Sequence, residues 1–274
     1  MGLIEDIKAN ALENGTNIQN SDEEAIEKLF NKLFYAPKNM EEEVKFVKQM
    51  FTRGGASHER YGLHTSATIV GPEKYCIREQ VLSLMYKQAQ GENVPQHLIR
   101  IFEEGNAIHE KWQRLFIRGG LCKAEDLDFT KFYDKYDVSY TPDAILTIDG
   151  EKYVCEIKSV NTYQFQKMTS HPTATKQVQM YMHFTGIHKG IILCDDKNTQ
   201  KFKVFIVKYN PEIIAPFIER LEAVQYYKNR VYDEGKMVKR NANCTSKVCK
   251  RALECSMRDA CWNCGKGRIK LEHV

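Results

Sequence analysis

The spacing of apolar residues divides the chain into a helix-rich first part and a β-rich second part. Apolar positions recur with the helical period before residue 51 and again between about 95 and 117, and a further helix is predicted over 73–90. Beyond residue 120, short β-rich runs are predicted at 121–124, 138–148, 153–160, 190–193 and 202–207, with helices at 173–185 and 211–232. This order predicts an α/β core with a mixed sheet flanked by helices.

A β-hairpin is predicted around Asp149-Gly150, a strong signal for a two-residue turn. Pairing of the flanking strands would bring Asp143 close to Glu156 and Lys158. Because side chains alternate faces along a strand, Glu156 and Lys158 share one face. Two acids and a lysine in this arrangement are typical of a metal site beside a water-activating base, which suits hydrolysis of a phosphodiester. The alternative is a set of ordinary solvent-facing charges on an amphipathic hairpin.

Composition indicates a soluble globular protein and charge points to a polyanionic partner. The chain has 274 residues with 42% hydrophobic and 28% charged residues, and no apolar run reaches membrane-spanning length. The amino terminus lacks a basic stretch followed by an apolar one, so we expect no signal peptide and a cytoplasmic location. Residues 228–274 carry twelve Lys/Arg and five Asp/Glu, a net charge of +7. Since the whole chain has a net charge of +4, the remaining residues carry −3.

The nine cysteines are an odd number, which together with the missing signal peptide favours metal ligation or buried thiols over a disulfide framework. Five of them, Cys244, Cys249, Cys255, Cys261 and Cys264, lie within twenty-one residues near the end of the chain. Clustered thiolates select zinc or an iron–sulfur cluster, and a single CxxC unit does not give the paired units of a zinc ribbon.

The remaining four cysteines are scattered. Cys76 lies at the start of the helix predicted over 73–90. Cys122, Cys155 and Cys194 are isolated in strand-like runs, so we expect them to pack in the core.

Four short motifs follow one another in a fixed order: Gly105-xxx-His109, Pro142-Asp143, Glu156-x-Lys158 and Gln177-xxx-Tyr181. This ordered set resembles the RecB-type nuclease family of the PD-(D/E)xK superfamily. An early cysteine followed by a cysteine-rich end resembles the iron–sulfur branch of that family, which includes the AddB nuclease, the CRISPR-associated four-cysteine exonucleases and phage-encoded relatives. The resemblance extends from about Cys76 to Cys261.

The resemblance implies a restriction-endonuclease-like core and three regions along the chain. A helical amino-terminal region is expected over residues 1–72, the nuclease core over 73–232, and a basic, cysteine-rich module over 233–274. The module would close a metal cluster with Cys76.

For the active site, the resemblance implies that His109, Asp143, Glu156 and the Ile157 carbonyl bind Mg²⁺ or Mn²⁺. Lys158 would position or deprotonate the attacking water. Gln177 and Tyr181 would orient the lysine or the scissile phosphate. The chemistry agrees independently, because hard carboxylate oxygens suit these cations and a lysine beside a dication is pushed toward its neutral form.

For the cluster, the resemblance implies one early and three late cysteines. The best matches are Cys76, Cys255 and Cys261, with Cys249 slightly favoured over Cys244 as the fourth ligand of a 4Fe-4S cluster. Cys264 is then spare, or replaces Cys261 if zinc is bound instead.

The nucleic-acid contacts are expected to come from basic residues around the cluster. Arg78, Lys250 and Arg251 are the predicted DNA-binding residues. A narrow basic passage beside the cluster would favour a single strand threaded from an end.

The leading hypothesis is a metal-dependent DNA exonuclease that acts on single strands or ends in phage or bacterial recombination, replication or repair. A helicase, recombinase or integrase is a possible protein partner, and no membrane is involved. Two alternatives stay open: a non-catalytic DNA-binding or adaptor protein that retains the nuclease fold, and a zinc-bearing endonuclease.

Overall fold

The computed structural model describes residues 18–52, 62–86, 96–127 and 130–263. Its residues cluster into two units that interleave along the chain. The first unit takes residues 1–55, 96–130 and 141–213, and the second takes 56–95, 131–140 and 214–274. The division into regions 1–72, 73–232 and 233–274 stays a prediction.

A four-stranded mixed sheet forms the centre of the first unit, in the order β4-β5-β6-β7. Its strands are β4 (Ala144–Ile148), β5 (Glu151–Val160), β6 (Lys189–Asp196) and β7 (Phe202–Lys208). The central pair β5–β6 is parallel and the two outer pairs are antiparallel. The mixed sheet predicted from the sequence is therefore confirmed.

Within the described residues, five α-helices belong to this unit: α1 (Ile18–Leu33), α2 (Met40–Thr52), α5 (Gln96–Arg118), α6 (Thr162–Lys167) and α7 (Pro172–Thr185). Helix α5 packs its buried residues Trp112 and Phe116 against α1 and the sheet, within one apolar core. The helix predicted over 95–117 is thus confirmed. Ile101 and Phe102, which fit the same apolar period, are exposed instead.

The hairpin of β4 and β5 forms as predicted. Asp149 and Gly150 make a two-residue turn with φ angles of 51° and 82°, so both occupy the left-handed region that a type I′ turn requires. The turn fixes the pairing of Ala144 with Cys155. Cys155 and Ile157 lie fully buried in the core, which directs Glu156 and Lys158 to the opposite face of the strand.

Helix α1 covers the outer edge of the sheet. The backbone N–H groups of Val204 and Ile206 on β7 donate to Glu27 (2.9 Å) and Glu23 (3.1 Å), which lie one turn apart on α1. These carboxylates take the place of a neighbouring strand, and edge donors without a partner are sites of unwanted strand pairing. Burial is the main cause that raises the pKa of both glutamates.

The second unit contains a small sheet of order β1-β3-β2, of which the sequence predicted only residues 138–140, as part of the run over 138–148. Its strands are β1 (Leu63–His64), β2 (Lys131–Tyr133) and β3 (Val138–Tyr140), and its helices are α3 (Thr65–Thr68), α4 (Ile77–Ser83), α8 (Pro211–Glu234), α9 (Lys250–Leu253) and α10 (Arg258–Asn263). Helices α4 and α10 pack through Leu82, Met257 and Cys261. The strands are only two or three residues long, too short to show an alternating pattern.

Two predicted elements differ from the structure. Residues 121–124 form no strand, because Ala124–Asp126 closes into a 3₁₀ turn whose Asp126 carboxylate accepts from the Lys123 N–H at 3.0 Å. The helix predicted over 73–90 begins at Ile77, with Cys76 at its N-cap, and ends at Ser83. The end predicted for this helix, within 87–90, lies outside the described residues.

Helices α5 and α8 are the longest in the described residues, at 23 and 24 residues. Both carry charged residues throughout. In the part of the chain that the structure describes, no helix combines the length and the apolar character needed to cross a membrane.

Candidate active site

The β4–β5 hairpin brings the two predicted acids together. Asp143 precedes β4 directly, and its Oδ2 accepts a 2.6 Å hydrogen bond from the backbone N–H of Ile157 on β5. Glu156 is the neighbour of Ile157 in sequence. Both carboxylates are buried, with 8% of Asp143 and 3% of Glu156 exposed. Charges of one sign are therefore concentrated at a buried point of the sheet.

Helix α5 holds Asp143 from the other side through two residues one turn apart. The Nδ1 atom of His109 lies 3.2 Å from Asp143 Oδ1. The side-chain amide of Gln113 donates to the backbone carbonyl of Asp143 at 2.9 Å. Asp143 is thus held at one carboxylate oxygen by a backbone N–H, at the other by the His109 ring, and at its main-chain carbonyl by Gln113.

The electrostatics of the site reflect this crowding. The pKa of Glu156 is raised to about 7, first by burial and then by the negative charge of Asp143, against the opposing effect of Lys158 and His109. For His109, burial lowers the pKa, but the charge and hydrogen bond of Asp143 outweigh it, so the pKa is raised. Two acids that repel each other beside a histidine favour a bound cation.

Lys158 points to the same place as Glu156. Its Nζ lies 2.6 Å from Glu156 Oε1. Burial lowers the pKa of Lys158, but the charge and hydrogen bond of Glu156 outweigh it and raise the pKa overall. The carboxylates therefore keep the ammonium charged, and the lower pKa predicted for Lys158 requires a dication to offset their charge.

Helix α7, which packs on β5 and β6, carries the remaining predicted residues. Gln177 and Tyr181 lie one helical turn apart, Gln177 half-buried and Tyr181 buried. The helix begins after His171, whose Nδ1 accepts from the N–H of Ala174 at 3.2 Å. Burial and the charge of Lys158 lower the pKa of His171.

Two residues that touch this region were missed from the sequence. Gln113 could have been found, because it lies four positions after His109 on a predicted helix and shares its face. His171 directly precedes Pro172, a proline at the first position of a helix. That signal marks a helix start but gives no sign of a charge interaction with Lys158.

The glycine of the first motif has no steric role in the structure. A Cβ built on Gly105 would meet only Ser159 Oγ, at 3.9 Å, which is an ordinary contact. The packing of α5 on the sheet therefore does not require glycine here.

The donor chemistry suits a hard divalent cation, since Asp143, Glu156 and His109 offer oxygen and imidazole nitrogen atoms. In the arrangement described, Glu156 pairs with Lys158 and Asp143 with His109. Within the described residues, no three His, Cys, Asp or Glu side chains are grouped closely enough to hold a metal ion.

A second group of chemically interesting residues lies in the second unit. A cavity of about 250 Å³ is lined by Cys76, Cys244, Cys255 and Cys261, and also by the cationic residues Lys74, Arg240, Arg251 and Arg258. The described cysteines form no disulfide. Burial, followed by the charge of Glu79, raises the pKa of Cys255 to about 12. A ligand with affinity for thiols would have to displace that proton.

The two candidates for the fourth cluster ligand, Cys244 and Cys249, have different positions in the structure. Cys244 lines the cavity, and the residues that line it do not include Cys249. Cys249 caps α9 instead, and its Sγ lies 3.8 Å from the Asn243 carbonyl. Cys264 lies outside the described residues. The other three cysteines, Cys122, Cys155 and Cys194, are buried in the core, as predicted.

The basic residues predicted to bind DNA have different surroundings. Arg78 is buried, and its guanidinium donates to Cys261 Sγ at 3.1 Å, to the Cys261 carbonyl at 3.1 Å and to the Val238 carbonyl at 2.5 Å. A guanidinium in this position offers no phosphate-binding surface, so the burial of Arg78 argues against the predicted DNA contact. Arg251 donates to the carbonyls of Glu73, Lys74 and Tyr75. Lys250 is exposed.

Comparison with known proteins gives likenesses of structure only. No family model and no curated protein matches the chain. LHK-Exo in complex with dAMP is similar over 61% of this chain and 88% of its own, with 15% identity and a TM-score of 0.47. A second structure of LHK-Exo, described as an alkaline exonuclease from Laribacter hongkongensis, is similar over the same 61% of this chain and 88% of its own, with 16% identity and a TM-score of 0.40. A phage-related exonuclease from Haemophilus somnus 129PT is similar over 64% of this chain and 96% of its own, with 15% identity and a TM-score of 0.42.

Proposed function

We propose that the protein is a metal-dependent DNA exonuclease that hydrolyses phosphodiester bonds in single strands or at DNA ends. The observation that carries this proposal is the closeness of two paired groups, His109 with Asp143 and Lys158 with Glu156, whose charges act on one another. Burial of two mutually repelling carboxylates without a catalytic purpose is unfavourable. Perturbed acids beside a lysine are typical of a reaction centre.

In this proposal His109, Asp143, Glu156 and the Ile157 carbonyl hold Mg²⁺ or Mn²⁺. Such a cation lowers the pKa of water and neutralises charge that develops on the phosphate. Lys158 orients the attacking water and takes its proton as the neutral amine. His109 also keeps Asp143 aligned, and Gln177 and Tyr181 orient the phosphate or the lysine.

The test compares end-labelled single-stranded DNA with closed circular DNA in the presence of Mn²⁺. The exonuclease proposal expects the linear strand to be digested to mononucleotides or short products and the circle to survive. Cleavage of circles would point to an endonuclease. DNA binding without cleavage of either substrate would point to an adaptor protein.

Variants tie the activity to the site. Asp143→Asn and Lys158→Met are each expected to lower the rate about a hundredfold or more, since each removes a contribution of several kcal/mol to the transition state. Glu151→Gln is the matched control: Glu151 lies on the same strand as Glu156, but it is exposed and pairs with Lys189. Equal activity of wild type and Asp143→Asn would refute the assignment.

We propose further that the cysteine-lined cavity of the second unit holds an iron–sulfur cluster of the 4Fe-4S type, with zinc as the alternative. The support is the donor set: four thiols around one cavity, with four cationic side chains in the same lining. Cations stabilise the negative charge of thiolates and of a thiolate-ligated cluster. Cys76, Cys255 and Cys261 are the proposed ligands, with Cys244 or Cys249 as the fourth.

Metal analysis and the visible spectrum of anaerobically purified protein test the cluster directly. Cys76→Ser is expected to lose the iron and its visible absorption, and Cys194→Ser, a buried core cysteine in the first unit, is the control. Comparing Cys244→Ser with Cys249→Ser identifies the fourth ligand. Stoichiometric zinc without iron would favour the zinc alternative, and absence of both metals would refute the proposal.

A further inference from the structure

An exposed tyrosine lies on the helix that follows the catalytic strand. Helix α6 begins two residues after β5 ends at Val160, so the chain from Lys158 to Tyr163 spans at most about 17 Å. Of the Tyr163 side chain and backbone together, 68% is exposed. An aromatic ring with so much of its area in water contributes little to stability through burial. Packing therefore does not account for a tyrosine at this position.

A lysine one turn further on shares this face of α6. The Lys167 Nζ lies 2.6 Å from the Tyr163 hydroxyl and 3.9 Å from the centre of its ring. Lys167 is itself exposed. Lys167 therefore lies over one face of the ring, so a base that stacks on Tyr163 would use the other face, with a positive charge close by for a neighbouring phosphate of the single strand.

The amino-terminal end of α6 is held by a polar network. The Asn161 side chain caps the helix by accepting from the Gln164 N–H at 2.9 Å. The Thr162 hydroxyl donates to Asp196 Oδ1 at 2.9 Å, and Thr199 donates to the other oxygen of this buried aspartate at 2.5 Å. These bonds tie the start of the helix to β6 and the turn after it.

The carboxyl-terminal end is held by a lysine from the neighbouring strand β7. The Lys203 Nζ donates to the carbonyls of Phe165 (2.8 Å) and Met168 (3.2 Å). Phe165 is buried, so the inner face of α6 is anchored in the unit. A six-residue helix is not stable alone, and here both ends are fixed while Tyr163 is left facing outward.

We propose that Tyr163 and Lys167 form a stacking subsite for a nucleobase of the single-stranded DNA whose backbone is cleaved at the β4–β5 hairpin. The inference rests on the proposed function and names a feature of its substrate. Stacking on a tyrosine tolerates any base, so the subsite favours unpaired strands over duplex DNA without selecting a sequence. Its rigid support means that little order has to be gained when the strand binds.

The experiment measures binding of a fluorescein-labelled oligo-dT to the full-length protein by anisotropy, in EDTA so that no cleavage occurs. Tyr163→Ala is expected to weaken binding about 5- to 140-fold, the range that corresponds to roughly 1–3 kcal/mol for one stacked base. Tyr163→Phe is expected to bind as wild type does, because it keeps the ring. Lys167→Met should weaken binding less and reduce its dependence on salt.

Tyr35→Ala is the control, since Tyr35 is a more exposed tyrosine of the same unit, at 90%, and its loss should leave binding unchanged. Tyr163→Trp adds a spectroscopic readout: stacking quenches the new tryptophan when oligo-dT is added, after subtraction of the wild-type signal.

Unchanged affinity of Tyr163→Ala, beside a wild type that binds, overturns the subsite, as does equal weakening in Tyr163→Phe. The proposed function fails separately, if the wild type binds oligo-dT but does not cleave it in Mn²⁺. A wild type that binds no single-stranded DNA overturns both.

Discussion

Replacing Gln113 with methionine tests whether α5 positions Asp143 for the proposed metal site. The substitution keeps the length of the side chain but removes the amide that donates to the Asp143 carbonyl at 2.9 Å. Gln113 is buried, so the carbonyl is left without that donor in a place where water does not replace it. The expected loss of stability is about 1–3 kcal/mol, and for a chain of this size each kcal/mol lowers Tm by roughly 2–4 °C.

The functional effect should exceed the loss of stability. Residues that orient a metal ligand change metal affinity by about 10- to 100-fold when they are replaced, so we expect Gln113→Met to bind Mn²⁺ that much more weakly in calorimetric titration. Cleavage of labelled single-stranded DNA should fall in parallel at limiting Mn²⁺ and recover in part at high Mn²⁺.

A matched control is available in the second unit. The Gln225 amide donates to the Tyr136 carbonyl at 2.8 Å, so Gln225→Met removes the same kind of hydrogen bond. We expect Gln225→Met to lose stability without any change in Mn²⁺ affinity. If the two variants have the same Mn²⁺ affinity, Gln113 is a packing residue and the positioning argument is refuted.

Three further outcomes follow from the packing of the first unit. Gly190→Ala should lower stability by about 1–3 kcal/mol in urea unfolding, because the new Cβ would lie within 2.3 Å of Val178 Cγ1. Asp195→Ala should lower it by about 1–3 kcal/mol, because it leaves the fully buried Trp112 Nε1 without the Asp195 Oδ2 acceptor at 2.7 Å, and Asp195→Asn, which keeps an acceptor, should lose clearly less. Burial raises the pKa of Glu27, so its stabilising contribution is present below its ordinary pKa and is lost as the pH rises through the raised pKa. The free energy of unfolding of Glu27→Gln, relative to that of wild type, should therefore increase as the pH rises from 4 to 7.5. A constant difference across that range would contradict this assignment.

The parts of the site that were predictable depend on contacts between residues near in sequence. Asp149-Gly150 sets the turn, the turn sets the pairing of Ala144 with Cys155, and this register brings Asp143 beside Glu156. Each step follows from local rules of turn chemistry and alternation. The helices with full apolar periods, such as α5, were predictable for the same reason.

The parts that were not predictable depend on how distant elements pack. The buried position of Arg78 comes from α4 lying against α10, where its guanidinium reaches Cys261. An arginine in the first turn of a helix beside a basic tail has the pattern of a surface residue. Strands β1 and β2 were missed because runs of two or three residues carry no measurable period, and β3 lies inside the β-rich run predicted over 138–148, which the structure divides between two sheets.

The distinction between local and distant contacts also explains why the Glu156–Lys158 strand was predictable from the sequence and the proposed stacking subsite was not. Glu156 and Lys158 are aligned by the strand itself, so their spacing is visible in the sequence. The outward direction of Tyr163 depends on contacts that hold both ends of α6, and one of them comes from Lys203, on a strand three elements later, which binds the carbonyls at the end of the helix. A lysine in an alternating strand is normally a solvent-facing residue. Nothing in the sequence around Lys203 indicates that its side chain binds the carbonyls at the end of α6. A tyrosine near a nuclease motif therefore becomes informative only when the structure gives the support beneath it, and that support is what distinguishes a binding surface from an incidental exposed ring.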